Sequence, residues 1–134
     1  MKSILRPFSI IALLFVLYAG TCFGQSLTFC EDVDDNGNAK GEGTSFTIDR
    51  DGSYVYALVK CGWSCMTTYA TFFIYSVDDD VDKTLEDSFK IETDEDWKWF
   101  STKIDFYDEG TYDIEMADDT EFVVTSATIN ISYR

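Results

Sequence analysis

The feature that most restricts the fold is the repeated change between short apolar runs and polar turns. After residue 24, runs of β-branched and aromatic residues alternate with turns rich in Asp, Gly and Asn, and no segment has the apolar periodicity of a helix. These runs predict strands at 27–30, 45–48, 53–60, 67–77, 88–92, 97–106, 111–116 and 123–133. Short strands bounded by such turns are typical of two packed sheets. We therefore expect an all-β antiparallel sandwich of seven to eight strands.

Alternation within single runs indicates which side chains face the interior. Tyr112, Ile114 and Met116 lie on one side of their predicted strand, whereas Asp113 and Glu115 lie on the other. Because successive side chains in a strand point to opposite faces, this strand has one face in the core and one in water. The segment 54–59 is apolar on both sides, which predicts a central strand.

The beginning of the chain has the organisation of a secretory signal. A short basic region precedes an apolar stretch at 8–19, and the sequence Cys-Phe-Gly at 22–24 has the small-x-small pattern of a cleavage site. The stretch is shorter than the roughly 18 to 20 apolar residues of a membrane-spanning helix. We therefore predict a signal peptide over 1–24 and a single domain over 25–134, secreted or periplasmic and without membrane insertion.

The charge of the predicted domain limits its partners. All 25 acidic residues lie after residue 24, whereas Lys2 and Arg6 belong to the leader, so 8 basic residues remain and the net charge is −17. Nucleic acids and anionic membranes would repel such a surface, whereas basic proteins and cations would not. Self-repulsion also predicts a monomer. The chain has no histidine, and therefore lacks the commonest general base and the usual zinc ligand.

Three cysteines follow the leader, so they cannot all pair within one chain. A local Cys61–Cys65 bridge is our first expectation, because Gly62 permits a tight turn between them and export favours oxidation. Pairing of Cys30 with either of the other two remains open. The fourth cysteine, Cys22, lies in the leader, and its lipidation after cleavage is also open.

A short motif near the C-terminus resembles a known family. The sequence Asp-Glu-Gly-Thr-Tyr-Asp-Ile at 108–114 is similar to the D-x-G-x-Y-x-C entry into the penultimate strand of immunoglobulin-like domains, with Ile114 in place of the second cysteine. The resemblance implies that Tyr112 caps the turn through its hydroxyl group. It also implies that the last three predicted strands are strands E, F and G. The whole predicted domain resembles small exported bacterial immunoglobulin-like β-sandwich domains of no assigned function, and it lacks the cysteine pair that joins strands B and F in antibody domains.

One acidic segment has part of a calcium-binding pattern. Asp32, Asp34 and Asn36 are followed by a glycine, as in D-x-D-x-N-G loops, where alternate oxygens converge on the ion. The twelfth position is Gly43, and Glu42 precedes it by one residue. The hypothesis is a calcium site formed by these three residues and Glu42, and the alternative is a solvated acidic turn.

Two further segments are predicted to be loops. Residues 31–43 and 78–87 are acidic and have no clear alternation, so we expect long surface loops. The acidic run within 78–87 has no ligand spacing, and we interpret it as solvated.

Three tryptophans are candidate ligand-binding residues. Trp97 and Trp99 fall on the same side of a predicted strand, roughly 6.6 Å apart, where two indole rings could stack on sugar rings. They could instead cover the end of the sandwich. Trp63 lies between Cys61 and Cys65 and is a separate exposed-aromatic candidate.

These observations predict an exported, non-enzymatic binding or interaction module whose partner is an unknown protein or glycan. The alternative is a carbohydrate-binding module with tryptophan platforms and a calcium loop. A hydrolase that uses a carboxylate pair is a third class, but no spacing in the sequence indicates such a pair. We expect no catalytic residues and no cofactor other than calcium.

Overall fold

The structure, a computed structural model, describes residues 25–79 and 82–134, and the predicted signal peptide lies outside them. The described residues form ten strands and no helix. The strands are β1 (Ser26–Cys30), β2 (Asp32–Val33), β3 (Ala39–Lys40), β4 (Ser45–Ile48), β5 (Ser53–Lys60), β6 (Tyr69–Val77), β7 (Lys83–Glu92), β8 (Trp99–Phe106), β9 (Gly110–Ala117) and β10 (Val123–Tyr133).

The strands form two main sheets with the topology of an immunoglobulin-like sandwich. One sheet has the order β1-β5-β8 and the other β4-β10-β9-β6-β7, while β2 and β3 form a separate hairpin. With β5 as strand B and β6 as strand C, the last three strands are E, F and G, as the resemblance implies. The predicted fold class is therefore confirmed. The expectation of purely antiparallel pairing is wrong at one edge, because β4 runs parallel to β10.

The core lies between the two sheets and is built from the alternate positions of each strand. Val59 and Phe100 from the smaller sheet face the interior with Phe72, Ile114 and Ile129 from the larger one, and all five are buried. Their alternation with polar neighbours is the signal that predicted the strands. Apolar packing holds the two sheets together, since the one disulfide of the described residues joins Cys61 to Cys65 within a single connection. The two cysteines are themselves buried at the border of the core.

Strand β7 is the main correction to the predicted strands. It begins at Lys83, not at residue 88, so half of the predicted 78–87 loop is strand. The side chains from Lys83 to Ser88 are all exposed, and a strand without a buried face has no apolar alternation to reveal it. Backbone pairing with β6 forms it instead. The predicted 31–43 loop likewise contains the β2–β3 hairpin.

Candidate functional site

Three connections lie together at one end of the sandwich, here termed the loop end. They are residues 61–68 between β5 and β6, 93–98 between β7 and β8, and 118–122 between β9 and β10. The register brings them together, because Lys60 pairs with Trp99 and Tyr69 pairs with Glu92. Loops at one end of a rigid sandwich are the binding elements of many domains of this fold.

A disulfide and backbone hydrogen bonds attach the first loop to the second. Cys61 is bonded to Cys65, which confirms the first expectation for the cysteines, and Cys30 is a buried free thiol. The Cys61 N–H donates to the Lys98 carbonyl at 2.9 Å, and the Cys65 N–H donates to the Trp97 carbonyl at 2.6 Å. The bridged loop is therefore held along the 93–98 segment.

Asp119 attaches the third loop to the first. Its carboxylate accepts hydrogen bonds from the Thr68 N–H at 2.9 Å and the Thr68 hydroxyl at 3.0 Å. In return, the Asp119 N–H donates to the hydroxyl oxygen of Thr67 at 2.9 Å. The hydrogen bond from the Thr68 backbone is the main reason why the pKa of Asp119 lies below its ordinary value.

Thr67 is at the centre of these contacts. It is 1% exposed and is the one buried polar side chain of the described residues. Its hydroxyl donates to the Tyr69 carbonyl at 2.7 Å, and its own carbonyl accepts the Thr93 hydroxyl at 2.7 Å. Because buried polar groups of this kind are costly to leave unpaired, the network fixes the three loops relative to one another.

Large apolar side chains project from this fixed platform into solvent. Trp63 is 85% exposed, Phe122 75%, Met66 71% and Trp97 45%. With Val123 they make five of the eight most exposed large apolar side chains in the described part of the chain. Exposed apolar side chains in such a concentration are the exception on monomer surfaces and are typical of interaction sites.

The backbone of the loop end is strained at two positions. Met66 has φ 53° and Glu121 has φ 69°, and these are the two non-glycine residues with positive φ among those described. Such conformations cost about 1 to 3 kcal/mol each and concentrate at functional sites. Hydrogen bonds hold both in place, from Met66 N–H to the Glu95 carbonyl and from Glu121 N–H to the Asp118 carbonyl, each at 3.0 Å. The exposed side chains of Met66 and Phe122 thus project from backbone segments that hydrogen bonds hold in an unusual conformation.

Acidic residues are in excess at the loop end. Those of the three loops are Asp94, Glu95, Asp96, Asp118, Asp119 and Glu121, and the basic ones are Lys98 and, at the border, Lys60. Asp118 and Asp119 are half-buried and accept hydrogen bonds from Thr120 and Thr68, whereas the other four acidic residues are exposed. The loop end therefore combines exposed apolar side chains with a net negative charge.

The two neighbouring tryptophans have different surroundings. Strand β8 begins at Trp99, and Trp97 precedes it in a turn whose Trp97 N–H donates to the Asp94 carbonyl at 3.0 Å. The Trp99 ring packs on Gly37, where an added Cβ would lie 2.5 Å from two ring carbons. Trp99 therefore covers the β2–β3 hairpin. Both rings nevertheless line one shallow depression of about 690 Å³, with Asn36 at its border.

The residues proposed for calcium lie in the β2–β3 hairpin and the segment after it. The Asp34 carboxylate accepts the N–H groups of Asn36 and Asn38, both at 2.9 Å, and these bonds, chiefly that from Asn38, lower the pKa of Asp34. Asp32 lies in β2 and accepts its neighbour's N–H at 2.9 Å, and Glu42 follows β3. Across residues 25–79 and 82–134, no three Cys, Asp or Glu side chains are grouped as metal ligands. Asp34 thus has a structural use as the cap of a turn.

Tyr112 lies at the opposite end of the sandwich. Its hydroxyl donates to the Asp108 carbonyl at 2.8 Å, which is the contact that the immunoglobulin-like resemblance implies. Burial is the main cause that raises the pKa of the Tyr112 hydroxyl above its ordinary value.

Sequence reasoning missed Met66, Phe122, Thr67 and Asp119. Phe122 had a usable signal, since it is an aromatic residue directly after an acidic turn rather than within an alternating run. Thr67 and Asp119 had none, because they are 52 positions apart in the chain and only the fold brings them into contact.

No protein-family model and no curated protein matches the sequence. Among solved structures, the chain is similar to an immunoglobulin-like protein from Pseudomonas aeruginosa, with 9% identity, a TM-score of 0.48, and 78% of this chain and 90% of that chain covered. It is also similar to a superoxide reductase (neelaredoxin) from Ignicoccus hospitalis, with 7% identity, a TM-score of 0.46 and coverage of 87% and 86%. A CARDB domain from Pyrococcus furiosus, solved with di-metal ions, has 10% identity, a TM-score of 0.42 and coverage of 82% and 92%. The described residues contain no helix long and apolar enough to cross a membrane.

Proposed function

We propose that this protein is an exported, non-enzymatic interaction module that binds a protein with a basic surface through its loop end. The observation that carries the proposal is the concentration of five of the eight most exposed large apolar side chains on one end of the sandwich. Tryptophan side chains that stand on a fixed scaffold are the commonest energetic anchors of protein interfaces.

The arrangement has the composition of an interface. Trp63, Met66 and Phe122 supply apolar contact area, and the carboxylates of the same loops supply a polar rim. Because the network around Thr67 already fixes the loops, binding would cost little ordering entropy. The rim is negative, so a partner with lysine or arginine side chains around an apolar depression would complement it.

The disulfide agrees with an exported protein. Cys61 and Cys65 are bonded, and disulfides persist in oxidising compartments such as the periplasm and the extracellular space. The proposed compartment is therefore outside the cytoplasm.

A glycan is the second candidate partner, because Trp97 and Trp99 line one depression together with Asn36. An indole ring and a polar amide are suitable groups for a sugar ring. The calcium hypothesis concerns the adjacent hairpin, where the Asp34 carboxylate already accepts the N–H groups of Asn36 and Asn38, and the ion would have to draw Asp32 and Glu42 toward it. Calorimetric titration of the purified protein tests the ion separately, and no heat at millimolar calcium would remove it from this proposal.

The surface itself is tested by photo-crosslinking from defined positions in producing cells. A photoreactive residue at position 63 or 122 should give one discrete crosslinked species, and the same residue at 54 or 85 should not give that species, because Tyr54 and Leu85 are exposed apolar residues away from the loop end. The captured partner should then bind the Trp63→Ser/Phe122→Ser double variant at least tenfold more weakly. The Tyr54→Ser/Leu85→Ser double variant is the matched control.

Equal crosslinking from all four positions, or unchanged affinity of the Trp63→Ser/Phe122→Ser variant, would contradict the loop end as the binding surface. Retention on a glycan array that is lost in Trp97→Ala but kept in Trp63→Ser would favour the glycan partner instead.

A further inference from the structure

The two sheets leave a lateral groove of about 750 Å³ between β7 and β8, away from the loop end. In many immunoglobulin-like domains a strand D pairs with strand E at this place. Here only residues 93–98 connect β7 to β8, and β8 is the last strand of its sheet. The position next to β8 is therefore without a strand of the described chain.

Strand β8 presents an unusually regular free edge. Its eight residues pair with β5 without a register shift, and half of the backbone groups of an edge strand point away from its neighbour. The other edges of the described sheets differ. Strand β7 has a register irregularity at Glu86, Gly43 pairs with Phe29 at the edge of β1, and β4 has only four residues.

The walls of the groove carry carboxylates. Glu86 and Asp87 lie on the β7 side and Asp105 on the β8 side, with Asp108 and Glu109 at one end. Lys103 is the one basic residue that lines the groove, and its ammonium group lies 4.3 Å from the centre of the Tyr54 ring. The ion pairs of the described residues, which involve Lys83 and Arg134, are made elsewhere.

The floor of the groove is apolar. Ile74, Phe89, Ile104, Phe106 and Tyr112 contribute to it. Thr102 faces the same side of β8 as the buried Phe100 and Ile104, yet it remains partly exposed at the groove. The absence of a neighbouring strand beside β8 would leave an inward-facing side chain exposed to solvent in this way.

We propose that the groove binds an extended segment of a partner protein, with alternating basic and apolar side chains, that adds to β8 as a further strand. Backbone hydrogen bonds to the β8 edge would supply affinity, as in other cases of β-strand addition. Lysine or arginine side chains at alternate positions of the segment would point into the groove, with their aliphatic stems on the apolar floor and their charged groups at Glu86 and Asp87. These two carboxylates accept hydrogen bonds from Ser76 and Ser88 but make no ion pair among the described residues. The apolar side chains between the basic ones would lie on the outer face of the smaller sheet. This site is separate from the loop end and does not depend on the function proposed for that end.

The test uses a capped eight-residue peptide of alternating lysine and valine as the probe. At saturating peptide, we expect hydrogen exchange of alternate β8 amides to slow at least tenfold, with no change in the amides of β4. The same peptide with N-methyl groups on alternate residues cannot form the backbone ladder, and should bind at least tenfold more weakly.

A matched pair of variants separates the groove from bulk charge. Glu86→Gln/Asp87→Asn should lower the affinity for the lysine–valine peptide at least fivefold. Asp94→Asn/Glu95→Gln removes the same charge at the loop end and should leave that affinity unchanged. The proposal is overturned by equal weakening in both variants, by equal affinity of the N-methylated peptide, by absent β8 protection, or by no binding at millimolar peptide. The N-methyl comparison uses the unaltered protein, so it decides the question even if a variant does not fold.

Discussion

The two ends of the sandwich use aromatic residues in opposite ways. At the end opposite the loop end, here termed the closed end, the Tyr112 hydroxyl donates to the Asp108 carbonyl at 2.8 Å and the Tyr133 hydroxyl donates to the Tyr107 carbonyl at 2.9 Å. At the loop end, Trp63 and Phe122 project into solvent. Tyrosine hydroxyls fasten turns to the sheets at the closed end, where Tyr107 is also exposed, whereas Trp63 and Phe122 at the loop end are presented to solvent as apolar surface.

The exposure of aromatic side chains at the loop end is not caused by a more flexible backbone there. Its three connections are joined by a disulfide, by the Thr67 and Asp119 hydrogen bonds and by the backbone contacts of Cys61 and Cys65. The closed end has comparable ties, including the ion pair between Arg134 and Asp49 at 2.9 Å. A rigid backbone that nevertheless exposes its apolar side chains is typical of a pre-organised contact surface rather than of a frayed end.

The largest expected effect comes from removal of the disulfide that holds the first loop. Cys61→Ser/Cys65→Ser should lower the free energy of unfolding by about 2 kcal/mol. This is the stabilisation expected when a disulfide closes a short loop and so restricts the unfolded chain. Chemical denaturation measures this loss. Hydrogen exchange should accelerate in residues 61–68 and stay unchanged at 107–109. Acceleration at both ends would show that the two ends are not independent.

The next effect is expected at the closed end. Tyr112→Phe removes the hydrogen bond to the Asp108 carbonyl and should cost about 1 kcal/mol of unfolding free energy. The phenyl ring is retained, so the packing against Phe106 should survive. Binding through the loop end should not change. If Tyr112→Phe weakens partner binding without unfolding the protein, the separation of the two ends is wrong.

The smallest expected effect is a local titration at the loop end. Because the folded pKa of Asp119 is lower than its unfolded value, its contribution to stability is fully present above about pH 4 and is lost as pH falls through the lowered pKa. The Thr68 amide proton shift should therefore titrate with a midpoint below the ordinary aspartate value. Asp119→Asn keeps an acceptor oxygen and should abolish the titration, which NMR spectroscopy can measure. A midpoint at the ordinary value would show that the carboxylate does not hold Thr68.

Most of the strands could be predicted from the amino-acid sequence. The bounds of β4, β5 and β10 match the predicted strands, because each has apolar side chains that alternate or a buried centre. The first half of β7 was missed since its side chains are exposed. The parallel pairing of β4 with β10 was missed because pairing between distant strands leaves no periodic signal in either one.

The candidate site was predicted only in part. Trp63 and Trp97 were recognised as exposed-aromatic candidates, and both are exposed at the loop end. Trp99 was grouped with Trp97 on spacing alone, but its ring covers Gly37 on a hairpin more than 60 positions earlier in the chain. Met66 and Phe122 join the same surface only because three loops from different parts of the chain end at one edge of the sheets.

Taken by itself, the amino-acid sequence determined an all-β sandwich and its strongly negative charge, and it favoured the local Cys61–Cys65 bridge over the two pairings with Cys30. Each of these follows from neighbours in the chain or from composition. The tertiary structure alone decided which aromatic side chains are buried and which are presented, and it left the place beside β8 without a strand. The physical reason is that a strand's periodicity records which of its faces is buried, whereas its neighbours depend on how distant segments pack.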